Sequence, residues 1–475
     1  MFDSIQALHE LYRDGKTTVR EVVLAYLARI AEIDQCEDGL RSVLEINPDA
    51  LFIADGMDKK LQSGEDMPPL FGIPILLKDN INTVDRLRTS AGSVALADNY
   101  ARYDAHIVTR LRQAGALILG KASMTEFANY MSREERMPSG YSSRGGQVVN
   151  PYNREKTPSG SSSGSGVAVA AGLCAASVGT ETSGSILSPA WHNGIVGIKP
   201  TLGLLGRSGI IPISSTLDTA GPMARTVRDA ALLLGVMAGI DPDDAATHAC
   251  RHNDFVDYTE YLREGGPTGI RIGINRAKEA GEPESTEEEK AAFDNLCGLL
   301  GANGAVLVDH VSIDAQAGIG NIMRYEFKAC MNYYLSTLRG SAQVNTLKDI
   351  VQYNQDHASV ALKYGQSLLT DTENNTSGTM TESEYLQALA EREKTIIALD
   401  RLFDNNGIDV MLCEAFTNIA PYTGFPCMSI PIGQGRDNMP IGSYWIARRF
   451  DEASLLRATY AAECGLGLRL RPGFA

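Results

Sequence analysis

The stretch that most restricts what this chain can fold into covers residues 157–190, TPSGSSSGSGVAVAAGLCAASVGTETSGSILSPA. A Gly/Ser run is often a flexible linker. Here it passes without a break into Val167-Ala168-Val169-Ala170-Ala171-Gly172-Leu173, small apolar residues that suit only close packing. Serines that open into such a segment belong inside the protein. Two familiar loops do not fit. A phosphate-cradling loop ends in Gly-Lys-Ser/Thr, and Gly164-Ser165-Gly166 has no lysine. Gly160-Ser161-Ser162-Ser163-Gly164 matches G-x-S-x-G, but that elbow must follow a buried strand. The residues before it, Asn153-Arg154-Glu155-Lys156-Thr157-Pro158, are polar and closed by proline.

The rest of the chain reads as alternating helices and strands. Thr18-Val19-Arg20-Glu21 is a capping box, followed by Val22, Val23, Tyr26, Leu27, Ile30 and Ile33 at helical spacing. Gly72-Ile73-Pro74-Ile75-Leu76-Leu77-Lys78-Asp79-Asn80 is an apolar run that breaks off into polar groups: a buried strand delivering Lys78 at its end. A helix over 107–113 and a buried strand over 115–120 follow. Further strands are predicted over 269–274, 305–311, 410–412, 428–431 and 444–447, with helices over 287–300, 384–403 and 452–463. This alternation predicts an α/β fold, a central mixed twisted β-sheet covered by helices on both faces. No solenoid repeat or long linker divides the 475 residues, so a single domain over 1–475 is expected.

Composition narrows the function. A net charge of −15 argues against a surface that coats nucleic acid or binds an anionic membrane, since both need excess Lys and Arg. No run approaches the ~18–20 apolar residues of a membrane-spanning helix, and Met1-Phe2-Asp3-Ser4 lacks a secretory start. The eight cysteines contain no C-x-x-C and read as reduced thiols of a cytoplasmic protein. His248 and His252 are the one close histidine pair and lie in a loop-like stretch, so no metal site and no cofactor are expected.

A site of serines, small residues and one lysine resembles the amidase signature family. The resemblance is carried by Leu77-Lys78-Asp79-Asn80, by Ser159-Gly160-Ser161-Ser162-Ser163-Gly164-Ser165, and by Gly179-Thr180-Glu181-Thr182-Ser183-Gly184-Ser185-Ile186-Leu187-Ser188-Pro189-Ala190. Lys199-Pro200-Thr201-Leu202-Gly203, Asp218-Thr219-Ala220-Gly221-Pro222-Met223-Ala224-Arg225 and the segment 424–433 extend it over most of the chain. Ser143-Arg144-Gly145-Gly146-Gln147, Gly209-Ile210-Ile211-Pro212-Ile213-Ser214 and Tyr325-Glu326-Phe327-Lys328 are similar to the peptide amidase branch. The family motifs would occupy about 70–230, with a variable pocket-forming region over about 242–417.

The resemblance implies a catalytic trio: Ser185 as nucleophile, Ser161 as a bridging serine on a cis peptide bond, and Lys78 as base. Backbone N–H groups of Thr182, Ser183, Gly184 and Ser185 would form the oxyanion hole, with Ser162 in support. The chemistry is coherent by itself. A serine hydroxyl needs a neighbour to take its proton. Lysine does so only when neutral, and burial can lower its ordinary pKa of about 10.4 by up to about 3–5 pH units. Backbone donors at a small-residue turn suit the tetrahedral oxyanion of amide hydrolysis.

Three positions depart from the family pattern, where Asp, Gly and Arg are common: Glu181, Ser183 and Leu187. Ser183 is tolerable only without positive φ. Leu187 removes a cation beside the nucleophile loop, whose bracing must then come from elsewhere. Tyr325, Phe327, Tyr333 and Tyr334 share a predicted helix and either line a substrate entrance or pack a core. Leu412-Cys413-Glu414-Ala415-Phe416 replaces a common Pro-Thr, and its short connection to Gly424 would reshape the pocket.

The expectation is a serine amidohydrolase cleaving a small-molecule or peptide amide through an acyl-enzyme, as a monomer or homodimer without nucleic acid, membrane or cofactor. The alternatives are a lactam, carbamate or aryl/alkyl amide hydrolase, the A subunit of a tRNA-dependent amidotransferase, and a non-catalytic scaffold.

Overall fold

Strands that are buried along their whole length need cover on both faces. In a computed structural model describing residues 2–133, 137–250, 255–263, 266–278, 284–312, 318–338 and 342–473, several strands are of this kind. The strands are β1 Val43–Ile46, β2 Pro74–Lys78, β3 Leu117–Ala122, β4 Tyr141–Ser142, β5 Gly146–Gln147, β6 Ala176–Glu181, β7 Val196–Lys199, β8 Thr219–Ala224, β9 Arg271–Asn275, β10 Val306–Val308, β11 Val410–Cys413, β12 Cys427–Gln434 and β13 Pro440–Ala447. β4 and β5 pair alone; the others form one mixed sheet in the order β1-β3-β2-β6-β8-β7-β12-β13-β11-β9-β10. Every residue of β2, β3, β6 and β8 is buried, so helices cover the sheet on both faces.

The order places the site. β2 lies parallel between β3 and β6, with Leu77 opposite Val178. Lys78 and the end of β6 therefore meet at one edge of the sheet. β6 runs antiparallel to β8, with Glu181 opposite Thr219, so Thr182 and Asp218 leave their strands side by side. The Ser/Gly run becomes the buried helix Ser163–Ala170, packed against β6 and β2. It is no linker.

The capping box of Thr18 with Glu21 is present, on the helix Val19–Ile33. The C-terminal helices occupy Glu287–Ala302, Ser383–Asn406 and Glu452–Leu466. The strand expected over 305–311 is shorter, and β12 and β13 are longer because they pair as a hairpin from Cys427 opposite Ile446 to Gln434 opposite Pro440. Among the described residues no helix is long and apolar enough to cross a membrane. Five of the eight cysteines are buried. His248 lies in a short 3-10 turn, whereas His252 is outside the described residues.

Candidate active site

Lys78 has no exposure, and neither does Asp79. Its Nζ lies 2.8 Å from Ser161 Oγ and donates to the Thr180 carbonyl at 2.9 Å. Asp79 is occupied elsewhere, accepting from the N–H of Gly92 at 2.9 Å and from the Ser90 hydroxyl. Burial pulls the Lys78 ammonium down to about 7, while the negative charges of Glu181 and then Asp218 pull the other way. The burial effect dominates because the amine has left water altogether.

The Gly160–Ser161 peptide bond is cis. The Ser161 carbonyl accepts from the Thr125 N–H at 3.0 Å, and the Ser162 N–H donates to the Ser185 carbonyl at 3.1 Å. Ser162 also bonds β6 with its hydroxyl, donating to the Thr180 carbonyl at 3.1 Å and accepting from the Thr180 N–H at 3.3 Å. Gly179 makes this approach feasible, because a Cβ there would stand 2.8 Å from Ser162 Oγ. Ser161, Ser162 and Ser185 are all buried. The serine helix, β2 and β6 thus converge on one point.

The nucleophile loop is braced from behind by Glu181. Its Oε2 accepts from the N–H groups of Ile186 at 2.7 Å and Leu187 at 3.0 Å, and the Gly184 N–H helps hold the charge. Burial nevertheless raises the Glu181 pKa, against those bonds and the positive charge of the buried Lys199. Leu187 itself is a buried aliphatic residue. The loop's bracing therefore comes from the Glu181 carboxylate.

Gly184 takes φ of +78°, in the left-handed region, whereas Ser183 does not have positive φ. The condition for tolerating Ser183 is met. Its hydroxyl donates to Asn418 Oδ1 at 2.7 Å. A Cβ on Gly184 would lie 2.6 Å from the Phe416 ring, which in turn meets Tyr444 edge-on at 5.2 Å. Phe416 and Asn418 both belong to the short connection after β11. That segment therefore packs directly on the nucleophile loop. The position of Phe416 after an unusual strand end is the signal available in sequence; nothing there marks Asn418.

A cavity of about 970 Å³ opens beside Thr180 and Thr182 and is walled by Ile210, Ile211, Pro212 and Ile213. The aromatic residues of the helix Ile319–Thr337 divide between entrance and core. Tyr333 and Tyr334 line the cavity, with Tyr333 71% exposed at its mouth, whereas Tyr325 and Phe327 are core. Phe327 stacks on Tyr130 at 4.4 Å.

A model of the Amidase family matches residues 21–456. The chain is 35% identical to a probable amidase of Arabidopsis thaliana, over 99% of this chain and 91% of that protein. It is 31% identical to the A subunit of the glutamyl-tRNA(Gln) amidotransferase of Desulforapulum autotrophicum, over 97% and 96% of the two chains. The solved peptide amidase of Stenotrophomonas maltophilia superimposes with a TM-score of 0.91 at 36% identity, covering 99% of this chain and 98% of that one. The chain belongs to the amidase signature family and is an amide-hydrolysing enzyme. Within the family, its likeness in structure to the peptide amidase is consistent with that branch.

Proposed function

We propose that the protein hydrolyses a carboxamide C–N bond through an acyl-enzyme, with Ser185 as nucleophile, Ser161 as proton bridge and Lys78 as base. The observation that carries the reading is the fully buried Lys78 amine 2.8 Å from Ser161 Oγ, with its pKa near 7. Neutral Lys78 draws the proton of Ser161, which draws that of Ser185, and the Ser185 oxygen attacks the amide carbon. The tetrahedral oxyanion is met by backbone N–H groups in the stretch 182–185, of which that of Gly184 is turned to Glu181. On collapse the C–N bond breaks, the relay returns its proton to the leaving amine, and water then attacks the ester by the same path. No step calls for a metal or cofactor.

A C-terminal peptide amide or a small amide is the favoured substrate. This is supported by the likeness to peptide amidase over nearly the whole of both chains and by the apolar-walled cavity beside the nucleophile loop. The short connection carrying Phe416 and Asn418 packs on the nucleophile loop itself, and an aryl or alkyl amide, lactam or carbamate is the competing class. The amidotransferase A subunit is a further reading, since such proteins are among the relatives at similar identity. A scaffold without activity is disfavoured by the buried lysine held against Ser161.

A hydrolysis panel of peptide amides, aliphatic amides, anilides, lactams and carbamates, run with the isolated chain, tests the proposal. Peptide amides are expected to turn over fastest, with loss of all turnover in Ser185→Ala. Preference for anilides or carbamates would overturn the substrate class, and turnover by Ser185→Ala would overturn the roles.

A further inference from the structure

The mechanism leaves unused a carboxylate beside the nucleophile loop. Asp218 lines the cavity and is partly buried in its wall. Its Oδ1 accepts from the Thr182 hydroxyl at 2.5 Å. Its Oδ2 accepts from the N–H groups of Ile213 at 2.7 Å and Ser214 at 2.9 Å, and its own N–H donates to the Ser214 carbonyl at 3.1 Å. The turn before β8 is thus closed on itself, and the carboxylate oxygen facing the site is committed to Thr182.

That turn is held in its turn by Glu326, which is wholly buried on the helix Ile319–Thr337. Glu326 accepts from the hydroxyls of Ser214 and Thr216, from the Thr216 N–H at 2.9 Å, and from the Tyr385 hydroxyl at 2.6 Å. Four donors converge on it, and among the described residues it forms no ion pair. Such saturation fixes the turn firmly, because any rotation of the carboxylate would strand buried donors. A continuous set of bonds therefore runs from Tyr385 through Glu326 and the 213–218 turn to Thr182.

We propose that Asp218 is a positioning residue of this hydrolase: through Thr182 it pins the loop carrying Ser185 to the cavity wall, with Glu326 anchoring the turn from behind. This rests on the reading of Ser185 and Lys78 given above. Thr182 opens the stretch that meets the oxyanion, and a loop free to rotate there presents its N–H groups poorly to the developing charge. The β6–β8 register explains the pairing, since Glu181 opposite Thr219 sets Thr182 against Asp218.

Asp218 also has an electrostatic role that packing alone lacks. The groups acting on Lys78 are Glu181, from the end of β6, and Asp218, from the turn before β8; both favour its ammonium. Asp218 is itself faced by Arg207, whose charge favours the carboxylate, and it lies near the Cys330 thiol. Removing the Asp218 charge lowers the Lys78 pKa further, whereas removing only the Thr182 hydroxyl keeps the carboxylate and raises its pKa.

The test compares Thr182→Val, Thr182→Ser and Asp218→Asn in the full chain, using the best amide of the panel, with Ser185→Ala as control. Thr182→Val is expected to lose about tenfold or more in kcat with KM nearly unchanged, and Thr182→Ser to recover most of that loss. Asp218→Asn should lower kcat and move the acid limb of the pH profile to lower pH; Thr182→Val, which keeps a carboxylate that still titrates, should move it less. Wild-type kcat in Thr182→Val, or equal losses in the Val and Ser variants, would overturn the positioning role. An unmoved limb in Asp218→Asn would overturn its electrostatic part. An inactive Ser185→Ala beside a fully active Thr182→Val would sink this inference alone, whereas an active Ser185→Ala would sink the site reading beneath it.

Discussion

The pH dependence of turnover follows from one buried amine. Lys78 falls from its ordinary 10.5 to about 7, chiefly through burial. At pH 7 an unperturbed lysine is neutral in about one molecule in three thousand, and Lys78 in about half, a gain of roughly a thousandfold in competent base. The relay needs the neutral form, so kcat/KM should lie on a plateau above about pH 8 and fall on the acid side. A single-proton limb loses about tenfold per pH unit, leaving about a tenth of the plateau at pH 6. Asp218 titrates at about 6, held up by burial against the Thr182 and backbone bonds. Protonating it removes a charge that favours the Lys78 ammonium, so the limb should be shallower than a single-proton slope below that pH. The assay is kcat/KM of the best amide from pH 5 to 9 at constant ionic strength. A flat profile from pH 5.5 to 8 would refute the assignment of a lysine base.

Two other outcomes follow from the same geometry. The folded Lys78 pKa lies below its unfolded value, so wild type loses stability as pH falls from about 10.5 to about 7 and no further below that. Lys78→Met should therefore gain in relative stability over that window by up to about 5 kcal/mol. Denaturation midpoints at pH 6 and pH 9.5 check it, and a difference independent of pH would contradict it. Gly184→Ala must hold a methyl group at φ +78° and 2.6 Å from the Phe416 ring. It should cost about 1–2 kcal/mol of stability and at least about tenfold in kcat, with part of the activity recovered in the double variant carrying Phe416→Leu; wild-type kcat in the single variant would contradict a tight loop.

Lys78 is legible in the sequence only together with the other motifs, because an apolar run ending in Lys-Asp-Asn by itself also suits a lysine paired with Asp79 at the surface. The Ser/Gly run is legible because linkers do not open into small apolar segments. Strand β6 escapes a reading by pattern: Ala-Ser-Val-Gly-Thr-Glu is small and polar, and its burial comes from neighbours on both sides. The helix Ile5–Arg13 escapes it too, although its Ser4 cap accepts from the Ala7 N–H at 3.1 Å. Asp218 sits in a recognisable motif, but its bond to Thr182 spans 36 residues and depends on a register that local sequence does not carry. The grip of Glu326 on Thr216 and that of Asn418 on Ser183 span 110 and 235 residues. Periodicity marks faces and ends of elements. It does not say which ends meet.

The most direct measurement is to phosphonylate the chain with a fluorophosphonate, map the adduct by tandem mass spectrometry, and compare the labelling rate with that of Lys78→Met. The adduct is expected on Ser185, formed about a hundredfold or more slowly without the amine. An adduct on Ser161 or elsewhere, or an undiminished rate in Lys78→Met, would contradict the relay.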